Sequence, residues 1–186
     1  HQEGLAFDKG VFEELLVKSS FDFSDIQKNL AFLKGYKTEG NISSQDITEA
    51  IPKSLQDNIF DMTQLLLRGQ IQDVRELVHD LRLQGEDEIK LIAVMLGQFR
   101  TYLQVKLLSA QGKSEQQIVS SLSDYLSRKV NPFQVRYAIR DSRHLSVAFL
   151  KTTIKTLVET DYQIKTGTLD KDYLLDLALL KIASNS

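Results

Sequence analysis

The chain has 186 residues with a formal net charge of −2 at pH 7; 42% of its residues are hydrophobic and 26% are charged. These values are typical of a water-soluble globular protein with one large or two small cores, and they exclude a general affinity for nucleic acids or membranes. The sequence contains no cysteine, which excludes disulfides and thiolate metal sites and favours a cytoplasmic location.

Apolar residues recur at helical spacing along the whole sequence, which predicts an all-α fold. Only two prolines occur, and most of the nine glycines fall between the apolar-periodic segments. The first two predicted helices cover residues 8–18 and 23–34 and form a hairpin.

A domain boundary is predicted at Pro52. A short third helix, capped by Ser43 or Ser44, ends at this proline, and the helices beyond it are longer. The sequence thus predicts a small helical domain over 1–52 and a larger antiparallel helical bundle over 53–186.

Short turns join the helices of the larger domain. Gly69 and Gly85 separate the first three and make them antiparallel neighbours. Ser114 with Gln117 resembles a capping box, and Pro132 in a first turn starts a later helix. The predicted helices cover 55–68, 71–84, 86–111, segments starting near 114, 131 and 145, and 170–183.

The segment 86–111 predicts the longest helix. Gly85 closes the preceding helix, and the acidic residues 86–88 favour a start near residue 86. Its predicted core face consists of Ile89, Ile92, Ala93, Leu96, Phe99, Leu103 and Leu107. Polar residues interleave with this face, and Gln98, Arg100 and Lys106 are candidate contacts with either water or a partner.

The interval 128–155 has a locally unbalanced positive charge, with seven Lys or Arg residues against Asp141 alone. Arg136, Arg140 and Arg143 stand at i, i+4 and i+7, so they share one predicted helix face. This face is either plainly solvated or a contact for nucleic acid or an acidic partner. Nearby aromatic residues show no regular interleaving of the kind found in platforms for single-stranded nucleic acid.

Two patterns resemble chemical motifs but have simpler interpretations. Residues 35–41 have the glycine spacing of a phosphate loop, but Asn41 replaces the required lysine and no buried strand precedes it, which favours an interhelical turn. Asp57 and Asp61 stand at i and i+4 and could pair for acid–base work, although charge near a helix N-terminus explains them as well.

A third pattern, His79-Asp80, resembles metal ligands of helical phosphohydrolases. Only His1 and His144 could complete such a site, which favours a surface histidine. We therefore predict no catalytic, cofactor-binding or metal-binding residue. The sequence also shows no membrane span or signal peptide.

Several motifs, taken in order, resemble one known family. They are IFDMT at 59–63, LRLQGE at 81–86, QFR and LQVK within 98–106, NPFQVR at 131–136, SRHLS at 142–146, DYQIKTG at 161–167 and LLDL at 174–177. Over roughly residues 42–183 the series resembles the C-terminal half of the delta subunit of the bacterial DNA polymerase III clamp loader. Residues 1–52 resemble the small helical lid of an AAA+ module.

The resemblance implies a lid followed by a collar domain that packs with other loader subunits, namely the gamma or tau ATPase and delta prime. It implies neither catalysis nor a cofactor, and contact with primed DNA only in the assembled complex. The family's N-terminal domain, which contacts the sliding clamp, would precede His1, so we expect a part of a longer protein. Residues expected at a subunit interface or near DNA are Gln98, Arg100, Lys106, Arg136, Arg140, Arg143 and Lys165.

Two segments depart from the family pattern. Residues 29–33 are apolar where the lid helix usually carries a glutamate and a lysine. The last interhelical loop presents Lys165, Thr166 and Gly167 where some members present an aromatic residue to the template strand. The alternatives to a loader subunit are a freestanding helical adaptor unrelated to replication and a phosphohydrolase that uses His79.

Overall fold

Helices dominate the fold, which confirms the predicted all-α class. The computed structural model describes residues 6–19, 22–167 and 169–185. Contacts divide the chain into two units, His1–Lys53 and Ser54–Ser186, one residue beyond the boundary predicted from Pro52. Residues 1–5, including His1, lie outside the described residues.

The first unit has a small apolar core that is surrounded by short helices and strands. They are β1 (Ala6–Phe7), α1 (Val11–Lys18), α2 (Phe23–Tyr36), β2 (Asn41–Ile42) and α3 (Ser44–Ala50). β1 and β2 pair in parallel, and Phe7 lies opposite Ile42. The sequence predicted no strand here, because two residues are too few to show an alternation. The core consists of Val11, Leu15, Leu33, Ile42, Ile47 and Ile51.

The segment that resembles a phosphate loop is a connection between helices that side-chain hydrogen bonds hold in place. Ser43 is the N-cap of α3, and Asp46 accepts hydrogen bonds from the Ser43 backbone N–H and from Lys37 Nζ, both at 2.7 Å. The hydrogen bond from Lys37 is the main cause that lowers the pKa of Asp46 to about 2. Asn41, at the position of the missing lysine, donates through its side chain to Asp8 at 3.2 Å.

The second unit is a helical bundle built around one long helix. Its helices are α4 (Leu55–Leu67), α5 (Ile71–Leu83), α6 (Glu88–Ala110), α7 (Glu115–Leu126), α8 (Pro132–Asp141), α9 (Val147–Lys165) and α10 (Lys171–Ser184). α6 packs against α4, α7, α8, α9 and α10, whereas α5 packs mainly against α4 and α10. The predicted starts of these helices, and the ends that were predicted for four of them, lie within two residues of the observed ones. A side-chain N-cap fixes the start of every helix of this unit except α5.

The predicted core face of α6 is wrong in part. Ala93 is exposed and Leu107 is 41% exposed, whereas Leu91, Met95 and Val105 are buried. Five helices contact α6, and its buried residues recur at three- and four-residue intervals on one broad side that is rotated from the predicted one. Apolar residues such as Ala93 and Leu107 lie beyond the edge of this side, which obscured its position in the sequence. The full set of buried α6 residues is Glu88, Leu91, Ile92, Met95, Leu96, Phe99, Tyr102 and Val105.

Glu88 is a buried charge that joins three helix ends. Its side chain is 3% exposed and accepts a hydrogen bond from Arg82 Nε and pairs with Lys171 Nζ, each at 2.9 Å. Arg82 lies in the last turn of α5 and Lys171 in the first turn of α10. Burial would raise the pKa of Glu88, but the hydrogen bonds that it accepts from Lys171 and Arg82 outweigh burial and lower the pKa to about 2.

Replacing Glu88 by Gln should destabilise the second unit by about 1.5–3 kcal/mol, because two cations lose their common carboxylate in a water-poor setting. Urea unfolding at neutral pH measures the change. Glu86→Gln is the matched control: Glu86 pairs with Lys90 at 2.7 Å on the surface, and its loss should cost less than about 0.5 kcal/mol. Equal costs for the two variants would contradict a structural role for the buried pair.

The stabilisation by Glu88 should depend on pH in a defined direction. Its folded-state pKa is lowered from 4.5 to about 2, so the unfolded chain takes up a proton that the folded chain still excludes. The contribution is therefore complete above about pH 4.5 and is lost as the pH falls toward about 2. Unfolding of the parent chain and of Glu88→Gln across this interval should show a shrinking difference; a constant difference would contradict the assignment.

Candidate subunit and nucleic-acid interface

The predicted basic residues gather on and after α8. Asn131 caps this helix by accepting from the Phe133 backbone N–H at 2.8 Å, and Pro132 occupies the first turn, as predicted. Val135 and Ala138 are buried. Because residues three and four apart share a helix side, the opposite side faces outward. This outward face carries Phe133, Arg136, Tyr137 and Arg140.

Arg136 is held by an ion pair and an aromatic ring. Its Nη2 and Nε atoms donate to Oε1 of Glu115 in the first turn of α7, at 3.0 and 3.2 Å. The guanidinium carbon lies 5.4 Å from the centre of the Phe133 ring. The side chain is nevertheless 61% exposed. The guanidinium plane is therefore oriented by the protein and accessible to solvent.

Arg140 repeats this arrangement one helical turn later. Its Nε donates to Asp141 Oδ1 at 2.7 Å, and its guanidinium carbon lies 4.9 Å from the centre of the Tyr137 ring. The side chain is again 61% exposed. The hydrogen bond to Asp141 raises the pKa of Arg140 above its ordinary value, so the side chain stays charged. Two arginine-over-ring pairs thus follow one another along the outward face.

Arg143 does not share this helix face, which corrects the sequence prediction. α8 ends at Asp141 with Ser142 as its C-cap. Arg143 lies in the following turn, where its backbone N–H donates to the carbonyl of Arg140 at 3.4 Å. Its side chain is exposed. The i, i+4, i+7 pattern fails at its third position because the helix has ended.

Lys106 serves the fold of the bundle. It is half-buried, and its Nζ donates to the carbonyls of Ser142 and Arg143, both at 3.1 Å. A cation at this place satisfies carbonyls at the C-terminal end of α8 and complements the helix dipole. Lys106 therefore joins α6 to the end of α8 and has little capacity left for another subunit.

Gln98 is likewise occupied within the unit. It is half-buried; its Oε1 accepts from Thr63 Oγ1 and its Nε2 donates to Tyr102 OH, both at 2.8 Å. Burial raises the pKa of Tyr102 to about 12. Because both amide atoms have internal partners, we leave Gln98 out of the proposed contact surfaces.

Arg100 and Lys165 are exposed, on different helices. At 100° per residue, Arg100 lies about 200° from Gln98 around α6, so the predicted contacts of α6 do not form one face. The exposed side of α6 instead carries Ala93, Gly97, Arg100 and Leu107. Lys165 lies in the last turn of α9, pairs with Asp161 at 2.7 Å and is 55% exposed.

Sequence reasoning missed two arrangements. The ion pairs of Glu88 join it to Arg82 on the preceding helix and to Lys171 on the distant last helix, and no helical spacing in the sequence reveals them. The ring–arginine pairs had a signal that was available: each aromatic residue stands three positions before its arginine, a spacing that brings two side chains together on a helix.

Most of the residues considered for catalysis either cap a helix or lie exposed on the surface. Asp57 belongs to the capping box of α4, where it accepts from the Ser54 backbone N–H at 2.9 Å. His79 and Asp80 are exposed on α5. Among the described residues, no three His, Cys, Asp or Glu side chains cluster in a way that could hold a metal ion. In the same part of the chain, no helix is long and apolar enough to cross a membrane.

Comparison with known proteins identifies the fold as that of clamp-loader subunits. The chain superposes on the Bacillus subtilis DNA clamp loader delta protein (YqeN) with a TM-score of 0.82 and 30% sequence identity, over 98% of this chain and 52% of that one. The DNA polymerase III subunit delta of Bacillus subtilis (strain 168) is 35% identical over 160 residues, which are 86% of this chain and 44% of that protein.

A family model described as the C-terminal domain of the DNA polymerase III delta subunit matches residues 56–182. The chain therefore belongs to the DNA polymerase III delta subunit family, which confirms the resemblance. It spans about half the length of the relatives it matches. The match does not favour an adaptor unrelated to replication.

Replacing Lys106 by Met should destabilise the second unit by about 1–2 kcal/mol, because two carbonyls at the end of α8 lose their donor while the aliphatic stem is kept. Chemical unfolding monitored by circular dichroism measures this. Lys90→Met is the control, since Lys90 is 61% exposed and makes only a surface pair with Glu86; it should cost less than about 0.5 kcal/mol. A Lys106 variant as stable as the parent would show that its contacts are incidental.

Proposed function

We propose that this chain is the C-terminal part of a clamp-loader delta subunit and acts in assembling the loader that places a sliding clamp on primed DNA. The observation that carries the proposal is the family match over residues 56–182, together with the likeness in fold. In this proposal the chain catalyses no reaction, and it works in the cytoplasm.

The two units take different parts in this proposal. The unit Ser54–Ser186 acts as the collar and binds the gamma or tau ATPase and delta prime. The unit His1–Lys53 acts as an AAA+ lid. We assign contact with the sliding clamp to a domain outside this chain, and contact with primed DNA to the assembled complex.

The exposed side of α6 is our candidate for a subunit contact. Arg100 is exposed there, and Leu107 is a large apolar residue with 41% exposure. Gly97 lies about one helical turn before Arg100 on the same side, and a Cβ built on it would meet no atom within 4 Å, so another helix could approach closely. A charged residue beside an apolar and a small residue suits the edge of a helix–helix interface. Lys165, at the end of α9, is a second exposed candidate.

The tagged chain should co-purify with the loader ATPase and delta prime subunits of the same organism. Arg100→Glu should weaken this association about tenfold or more, because it reverses a charge at the proposed contact. Lys181→Glu, an exposed reversal on α10, is the control and should assemble normally. Binding is measured by analytical ultracentrifugation of the mixtures.

The outcomes separate the two levels of the proposal. If the parent chain fails to assemble with these subunits, the proposed function is wrong. If the parent chain and Arg100→Glu assemble equally well, the function stands and the contact through Arg100 is wrong.

A further inference from the structure

We propose that the outward face of α8 binds single-stranded nucleic acid, with bases stacked on the guanidinium planes of Arg136 and Arg140. The inference deepens the proposed function and rests on it for its setting, because it assigns to this surface the unpaired strand of primed DNA.

The surroundings of the two arginines favour stacking over phosphate binding. The N–H edges of Arg136 donate to Glu115, and Nε of Arg140 donates to Asp141. An aromatic ring lies against each guanidinium. Nε of both arginines and Nη2 of Arg136 are thus already engaged by carboxylates, whereas each side chain is still 61% exposed. Planar, pre-oriented guanidinium groups stack on bases.

The spacing of the pairs suits consecutive bases. Arg136 and Arg140 are four residues apart, so they lie about 6 Å apart along the outward face. Phe133 and Tyr137 repeat at the same interval beneath them. This is a regular alternation of rings and cations along a helix, although it is not apparent as adjacent residues in the sequence. Stacking of this kind tolerates any base sequence, because every base has a π face.

Cations for the phosphates lie on both sides of the stacking pairs. Arg128 and Lys129 are exposed in the connection before α8, and Arg143 is exposed in the turn after it. None of the three makes a side-chain ion pair within the part of the chain that the structure describes. Ser127 ends α7 in a left-handed conformation with φ 51°, and the Val130 N–H donates to a serine hydroxyl of α7 at 3.0 Å. The connection that carries Arg128 and Lys129 is therefore held in place by local contacts.

The same features favour a nucleic-acid strand over other partners. For an acidic protein segment, the Nε donors of both arginines are already occupied by Glu115 and Asp141. A duplex keeps its bases stacked on each other and would leave the guanidinium planes unused. Tyr125, 74% exposed at the end of α7, offers a further ring. Asp124 is also exposed there, which lowers the net positive charge of the surface. Because cations still predominate, we expect binding that depends on salt.

Fluorescence anisotropy of the full chain with a labelled oligothymidine of about 20 nucleotides tests the proposal. The double variant Arg136→Lys with Arg140→Lys keeps the positive charge and removes both guanidinium planes. Its affinity for the oligothymidine should fall about tenfold, with the salt dependence unchanged. Arg68→Lys with Arg75→Lys makes the same exchange at two exposed arginines elsewhere in the unit and should bind as the parent does. Circular dichroism verifies folding, and Arg140→Lys alone replaces the double variant if that loses helicity.

A second variant tests the phosphate contacts. Arg128→Ala with Lys129→Ala should reduce the slope of log affinity against log salt by about 1.4, the value for two phosphates of a single strand. An unchanged slope would overturn the role given to these two residues.

Four results would overturn the inference: no binding by the parent chain at low salt, equal binding by the double lysine variant, equally tight binding of a duplex, or tighter binding of a polyglutamate peptide. The lysine variants should still assemble with the loader subunits. If the parent chain assembles but does not bind the strand, this inference is wrong and the proposed function stands. If the parent chain binds the strand but does not assemble, the proposed function is wrong and the strand-binding surface stands.

Discussion

Burial of the central helix α6 on most of its circumference requires an internal partner for each polar group that it directs toward its neighbours. Glu88 pairs with Arg82 and Lys171, and Gln98 forms hydrogen bonds with Thr63 and Tyr102. Lys106 donates to the carbonyls at the end of α8. An unpaired group in these places would cost the full penalty of desolvation. The polar side chains that α6 directs toward its neighbours therefore stabilise the bundle, and their polar atoms are already occupied within it.

This constraint separates the structural cations of the domain from those that are available for contact. Lys106 is held inside the bundle, whereas Arg100 remains on the exposed side of the same helix. On α8 the division lies within single side chains, because carboxylates bind some N–H groups of Arg136 and Arg140 while each side chain stays 61% exposed. Proteins of this family are assembly components, and a domain built this way offers oriented cations on a rigid helical frame.

Features set by neighbouring residues could be predicted from the sequence. Gly85, Ser114 and Asn131 determine helix ends through local hydrogen bonds, so the helix boundaries and the all-α class were predictable. The exact buried side of α6 was not, because apolar residues such as Ala93 and Leu107 make its apolar arc wider than the buried one. The same holds for the partners of Glu88, which lie on other helices. Arg143 left the predicted face because the helix ended two residues before it.

The central claim is that exposed cations, and not the buried polar residues of α6, make the contacts with other molecules. Because the sequence contains no cysteine, single variants Arg100→Cys and Arg143→Cys allow thiol modification rates to be measured at one position each. The account predicts that assembly with the loader subunits slows modification at position 100, and that adding single-stranded DNA then slows it at position 143. Unchanged rates at both positions in an assembled, DNA-bound complex would contradict the account.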